Sequence, residues 1–376
     1  MKIGFDAKRL FNNFTGLGNY SRFVVAALLE HVPDNEYILY TPNIRHHPEI
    51  TPITAHSNVA IVTPSAVYRL FRATSLWRTW GIGKERSVST LNVFHGLSQE
   101  LPVNLPANIK KVVTVHDLIF LRFPKFYNPI DVRIYKAKVK AACLSAHKIV
   151  AISQQTAEDL VDFLGISESK IKVVYQGCHP QFMKVLSIDE IRNTKKKYNL
   201  PEQYVLNVGT VEARKNVMTV VKAMSILPIK SRLPLVIMGR ETAYKKEVVA
   251  MALQLGVLDS IIFLHQVPFT DFPPIYQGAQ LFVYPSLFEG FGIPLVEAIE
   301  SAIPVITSTG SCFSEAAGPG SIYIDPGNEE ELAFQLNRVL LDRELQQQMI
   351  SAGKKYTARF TSAQIANDLN SVYTSL

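Results

Sequence analysis

The chain has 376 residues, long for one domain and enough for two that each bury a core. Apolar residues make up 47% and charged residues 19%, which excludes a disordered chain, and no apolar run reaches the length of a membrane span. The net charge of +7 is uneven: residues 1–178 carry 21 Lys+Arg against 13 Asp+Glu (+8), and the remainder 18 against 19 (−1). A basic half suits an acidic substrate, anionic headgroups or nucleic acid. No nucleic-acid motif accompanies it, so a nucleic-acid partner is not expected. Cys143, Cys178 and Cys312 lack pairing or metal spacing, and Lys2-Ile3-Gly4-Phe5 starts as a strand with no signal peptide. A cytoplasmic protein with free thiols is the expectation.

In the first half, strands are predicted at Lys2–Phe5, Tyr37–Thr41, Asn58–Val62, Leu91–Phe94, Lys111–Val115, Lys148–Ile152 and Lys172–Tyr175. Helices are predicted over Asn19–His31, Pro129–Ala146 and Thr156–Leu164. Apolar strands separated by helices indicate an α/β, doubly wound parallel sheet, which binds ligands at the carboxyl ends of its strands. Three loops fall there. Thr15-Gly16-Leu17-Gly18-Asn19-Tyr20 is either a turn or a place where backbone approaches a phosphate through Gly16 and Gly18. His95, closing its strand before Gly96, is either an acceptor-side contact or a structural histidine. His116, followed by Asp117, is placed to hydrogen-bond a sugar hydroxyl and steady a charged transition state, or else to donate to a backbone carbonyl from the core. Asp117 is read as its orienting or structural neighbour.

Tyr68–Arg86 interleaves Arg69, Arg72, Arg78, Lys84 and Arg86 with Leu70, Phe71, Leu76, Trp77 and Trp80. That mixture suits a face resting on anionic lipid, and equally a solvated loop covering an acceptor. Residues 176–200 read as a connection, with Gly177 and Pro180 breaking regular structure and Lys195-Lys196-Lys197 on a solvated helix.

The second half restarts with the strand Tyr204–Val208 and Gly209, followed by Arg214-Lys215-Asn216 and a helix over Val217–Leu227. Two cations just before a helix are able to neutralise a diphosphate, or are a common surface pair. Strands follow at Leu235–Met238, Ile261–Leu264, Leu281–Tyr284, Ile303–Thr307 and Ile322–Pro326, with helices over Lys245–Leu255 and from Pro294. Glu289-Gly-Phe-Gly-Ile-Pro-Leu-Val-Glu297 thus spans a glycine-bearing loop and a helix start. The N–H groups of Phe291, Gly292 and Ile293 would face a ligand, and two carboxylates so spaced suit an extended polyhydroxyl molecule.

With its glycines, aromatic, proline and preceding Tyr284-Pro285-Ser286, the stretch Glu289–Ala298 resembles the signature of retaining family 4 (group 1) glycosyltransferases, in which two glutamates flank seven residues. The resemblance implies the GT-B fold: two facing Rossmann-like domains. Residues 1–178 would form the acceptor domain, joined by a helix returning within 358–376, and residues 199–357 the sugar-nucleotide domain. It further implies that Glu289 contacts the donor sugar, Glu297 binds the ribose, the Gly16–Gly18 loop faces the diphosphate, and His116 lies near the reacting sugar. Gly209 and Lys215 match the diphosphate element, with Arg214 as the second cation, because Thr210 stands where some members have an arginine.

Expected partners are therefore a sugar nucleotide and a glycan or lipid-linked acceptor, with anionic membrane as a further partner of the basic half, at the inner face of the cytoplasmic membrane. Resemblance of residues 282–294 to the mannosyltransferase branch favours GDP-mannose, with UDP-sugars as the alternative. A sugar-nucleotide epimerase and a non-catalytic nucleotide-binding subunit are the other classes. No Asp-x-Asp pair is present, so neither a metal nor a cofactor is expected. The resemblance implies front-face retention, with leaving-group stabilisation by Lys215, Arg214 and backbone N–H groups as the main catalytic effect.

Overall fold

A computed structural model describes residues 1–71 and 73–376. Arg72, within the expected lipid-facing segment, lies outside the described residues. The chain divides into two compact units, Met1–Gly177 with Phe360–Leu376, and Cys178–Arg359.

The first unit is built on strands β1 (Lys2–Asp6), β2 (Glu36–Tyr40), β3 (Val59–Val62), β4 (Val93–Gly96), β5 (Lys110–Val115), β6 (Lys148–Ala151) and β7 (Ile171–Val173). They pair in parallel in the order β3-β2-β1-β4-β5-β6-β7. The central strands are continuous apolar runs because helices cover both faces of such a sheet. The order reverses between β1 and β4, which puts a crevice beyond their carboxyl ends. The helix Gln154–Leu164 is capped by Ser153, whose side chain accepts from the Thr156 N–H, and ends at Gly165 with φ +66°. The last helix, Ser362–Thr374, packs against the helix Gly16–His31 and belongs to this unit.

Several expectations shift here. The first long helix begins at Gly16, not Asn19, so Gly16 and Gly18 sit in its opening turn. Gly18 is required by the chain itself: a Cβ there would lie 1.7 Å from the Asn13 carbonyl oxygen. Around Gly16 nothing lies within 4 Å of such a Cβ. β4 runs two residues further than predicted, which draws His95 into the sheet. In the stretch 68–86, Trp77 is fully buried and its Nε1 donates to Glu85, while Arg78 turns inward to Asp6 and Glu100. Leu70, Phe71, Leu76 and Trp80 remain exposed. Trp77 and Arg78 are thus taken up by internal contacts, while Arg69, Lys84 and Arg86 are exposed as well.

The second unit carries β8 (Val205–Val208), β9 (Leu235–Met238), β10 (Ile261–Leu264), β11 (Leu281–Tyr284), β12 (Val305–Ser308) and β13 (Ile322–Ile324). The order β10-β9-β8-β11-β12-β13 is again all parallel, with its reversal between β8 and β11. Val205, Leu235, Leu281, Val283 and Ile306 from the sheet pack with Val217, Val220, Val221 and Met224 from the helix Val217–Ile226. The helix Ile188–Lys197, with a Ser187–Glu190 capping box, belongs to this unit. Lys195 and Lys197 do not simply face water: Lys195 donates to the Glu202 carbonyl, and Lys197 pairs with Asp271 at 2.6 Å.

Candidate functional site

In the second unit, the loops after β8 and β11 meet at the strand-order reversal. After β8 the chain passes Gly209 (φ +154°), a conformation that favours glycine, and packs against Gly239 too closely for a side chain there: a Cβ on Gly239 would lie 1.9 Å from the Gly209 oxygen. A 3-10 turn, Ala213–Lys215, then delivers Arg214 and Lys215. Asn216, left-handed at φ +56°, locks the turn by donating to the Pro285 and Pro326 carbonyls at 3.0 and 2.8 Å.

The two cations converge on one oxygen. Lys215 Nζ lies 2.7 Å and Arg214 Nη1 2.9 Å from Glu289 Oε1. Lys215 also donates to the Tyr284 hydroxyl at 2.6 Å, and Arg214 to the Phe288 carbonyl at 2.6 Å and to Glu212 at 2.7 Å. Burial pushes the Glu289 carboxyl up, but Lys215 and Arg214 outweigh it and hold the group below the usual carboxylate value. Burial likewise opposes the charge on Lys215, and the Glu289 carboxylate more than restores it, raising the ammonium above its ordinary value. Tyr284 is pushed up to about 12, by burial first and then by Glu289, so it stays a neutral phenol. The result is a buried, ionised cluster of fixed geometry whose cations are already desolvated.

Gly292 (φ +95°) caps the helix Ile293–Glu300, a left-handed position suited to glycine. Phe291 is buried beside it, and Ile293 opens the helix with Pro294 at its second residue. Glu297, one turn in, is buried and accepts from the Tyr276 hydroxyl at 2.8 Å. Burial raises its carboxyl to about 7, against the pull of the Tyr276 hydrogen bond. The rings of Tyr276, Phe282 and Tyr284 stack in succession at 5.5 and 5.8 Å, tying the surroundings of Glu297 to those of Lys215.

In the first unit, His116 is buried after β5. Its Nε2 donates to the Leu97 carbonyl at 2.9 Å, Gln176 Nε2 lies 3.5 Å from its Nδ1, and the Tyr20 ring meets it edge-on at 4.6 Å. Burial, with Arg9 nearby, lowers its pKa to about 4. It is thus a neutral imidazole whose Nδ1 accepts hydrogen bonds, not a cation. The backbone-carbonyl partner weighed for it is present. Asp117 Oδ1 accepts from the Ile119 N–H, and its carbonyl accepts from Gln99, which makes it an anchor for the loop. His95 has the surroundings of the structural histidine weighed for it. It is fully buried, its Nδ1 is 2.7 Å from the Tyr373 hydroxyl and its Nε2 2.8 Å from Thr114 Oγ1, so both nitrogens are used within the unit. The Gly18 N–H bonds to the Thr15 carbonyl and to Asn13 Oδ1.

Sequence reasoning overlooked Tyr284, Tyr276 and Glu212 as partners of Lys215, Glu297 and Arg214. For Tyr284 a signal existed: a tyrosine closing a buried strand beside Pro285-Ser286 needs a partner for its hydroxyl. Among the described residues, no cluster of three or more His, Cys, Asp or Glu is arranged to hold a metal ion.

Two doubly wound parallel-sheet units in one chain, with a final helix packed back on the first, are the GT-B architecture. A crystal structure of Anabaena HepE with UDP and glucose matches the whole chain over its own whole length, with a TM-score of 0.77 at 18% identity. The chain belongs to the group 1, family 4 glycosyltransferases: the Glycosyltransferase Family 4 model matches residues 16–182, and the model for glycosyl transferases group 1 matches residues 189–356. O-antigen chain mannosyltransferase B of Escherichia coli is 28% identical over 66% of this chain and 65% of its own. Serotype-specific mannosyltransferase WbdA of the same species is 26% identical over 74% of this chain and 36% of its own. The chain therefore spans between about a third and two thirds of these relatives.

Proposed function

We propose that this chain transfers a hexose, mannose from GDP-mannose, to a glycan or lipid-linked acceptor in the building of a cell-surface polysaccharide such as O-antigen, with retention at the anomeric carbon. The observation carrying the reading is the convergence of Lys215 and Arg214 on Glu289 at the strand-order reversal of the second unit. A departing nucleoside diphosphate gains charge as the glycosidic bond breaks, and two desolvated cations held in advance stabilise it without reorganising. Glu289 then exchanges its cation partners for hydroxyls of the donor sugar, and Glu297 in ionised form accepts the ribose hydroxyls. In the first unit, His116 accepts a hydrogen bond at Nδ1 from a sugar hydroxyl. The mannosyltransferase names of the curated relatives support the choice of sugar.

The deciding experiment incubates the protein with GDP-mannose, GDP-fucose and a panel of UDP-sugars, each with and without a lipid-linked glycan acceptor, and identifies products by mass and by anomeric configuration. Mannosyl transfer with retention is the expected result. Transfer from a UDP-sugar alone would replace the donor assignment. A new free sugar formed without acceptor would indicate an epimerase, and binding without turnover a non-catalytic subunit.

A further inference from the structure

The helix Glu329–Leu341 of the second unit buries Leu332, Ala333, Leu336 and Val339 in the core and packs on the helix Val217–Ile226. Its outward face reads Glu330, Phe334, Arg338 and Leu341, at steps of four, four and three residues, all exposed. At 3.6 residues per turn these four fall within about 80° of one another around the helix. Phe334 is 66% exposed and Leu341 70%. Ile226, 50% exposed, ends the neighbouring helix, and Ile229, 85% exposed, begins the turn Ile229–Ser231 that also packs on this one. Large apolar side chains grouped in this way mark a contact surface.

The order of the charges says what covers it. Glu330 stands four residues before Phe334 and Arg338 four residues after, so the line is its own complement. A second copy, turned about a twofold axis at Phe334, sets Glu330 of each protomer opposite Arg338 of the other. Four residues rise about 6 Å, so both pairs come level when the two helices run antiparallel. Side chains of this length span the about 8–10 Å between packed helix axes, and the two Phe334 rings meet at the centre. Among the described residues Glu330 has no ion-pair partner, and Arg338 donates to Gln335 at a long 3.4 Å. An anionic bilayer fits poorly, because residues 329–344 carry five acids against two arginines.

We infer that the face Glu330–Phe334–Arg338–Leu341 joins two copies of this chain in an antiparallel, twofold contact. Phe334, Leu341 and the two isoleucines supply the apolar area, and the Glu330–Arg338 pairs fix the register. A contact built on one helix face is small, so the dimer is weak and concentration-dependent. Association through this face is independent of the transfer reaction, and its readout is mass in solution.

The test is sedimentation of the full chain between about 1 and 100 µM, the range in which a contact of micromolar strength shows both monomer and dimer. Wild type should pass from one to the other. Phe334→Glu should stay monomeric with unchanged circular dichroism, since the side chain is exposed. Glu330→Arg alone and Arg338→Glu alone should each weaken association roughly 25-fold, at about fivefold for each of two contacts turned from attraction to repulsion. Equal parts of those two variants should associate again, because every pair across the twofold is then opposite in sign; the double variant should dimerise like wild type. A wild type that stays monomeric overturns the proposal, as does a Phe334→Glu variant that still dimerises. Failure of the two single variants to associate when mixed overturns the twofold register. A monomer that floats with lipid vesicles, and loses that in Phe334→Glu, would give the face to a bilayer instead.

Discussion

Lys215→Ala tests the proposed leaving-group site most directly. In the folded protein Lys215, Arg214 and Glu289 together carry one positive charge, and removing Lys215 leaves the Arg214–Glu289 pair neutral. At an effective dielectric of about 20, a unit charge about 4 Å from a phosphate oxygen is worth roughly 4 kcal/mol. Losses on removing one preorganised stabiliser run to roughly 100- to 1,000-fold in kcat, or about 3–4 kcal/mol, so the two scales agree. Glu289 keeps Arg214 as its partner, so the variant should fold, with a modest drop in melting temperature. Initial rates of sugar transfer, with calorimetric affinity for the free nucleoside diphosphate, give the readout. Both should fall, kcat by roughly 100-fold or more. A folded variant with wild-type kcat would refute the assignment of Lys215, as would unchanged affinity for the diphosphate.

Three further outcomes are expected. Glu297 titrates near 7 when folded and near 4.5 when unfolded, so the native state holds a proton that the unfolded chain releases. Its contribution is fully present below about pH 4.5 and is lost as pH rises to about 7, a change of roughly 3 kcal/mol; Glu297→Gln should flatten that part of the stability profile measured by denaturant titration. The same ionisation should tighten nucleotide binding as pH rises through about 7, and a pH-independent affinity in wild type would count against the ribose contact. His95→Leu leaves the buried Tyr373 hydroxyl without its histidine partner, costing about 2–3 kcal/mol of stability with turnover of the folded fraction intact; lost turnover at unchanged stability would restore an acceptor role. Gly18→Ala should destabilise by about 1–3 kcal/mol through its clash with the Asn13 carbonyl, whereas Gly16→Ala should be tolerated, and equal melting temperatures for the two would contradict the packing argument.

Much of the architecture was legible because buried parallel strands write themselves as short apolar runs: β9, β10 and β11 fall where Leu235–Met238, Ile261–Leu264 and Leu281–Tyr284 were read. The pairing of Arg214-Lys215 with Glu289 follows from the topology, since the reversal between β8 and β11 makes neighbours of two loops 74 residues apart. What stayed hidden depends on partners far along the chain. Histidine spacing says nothing of the hydroxyl that Tyr373 brings to His95 from 278 residues away. Tyr276 meets Glu297 across 21 residues of chain, and the inward turn of Trp77 and Arg78 was not legible because the 3-10 and π turns around them have no regular period to read. Gly16 was assigned to a loop because glycine is a poor helix former, yet a first turn tolerates it.

The anchoring of Tyr373 on His95 also bears on how the polypeptide matures during synthesis. A ribosome delivers all of the strands of the first sheet early, but the helix that brings Tyr373 to His95 and packs on the helix Gly16–His31 follows only after the intervening unit has been made. The earliest-translated half must therefore wait with His95 short of its Tyr373 partner and the helix Gly16–His31 without its neighbour while the later-translated half, contiguous in sequence, completes itself. A nascent chain arrested before Ser362 would lack that helix, which makes the surface left bare on the helix Gly16–His31 the natural point for a chaperone to hold.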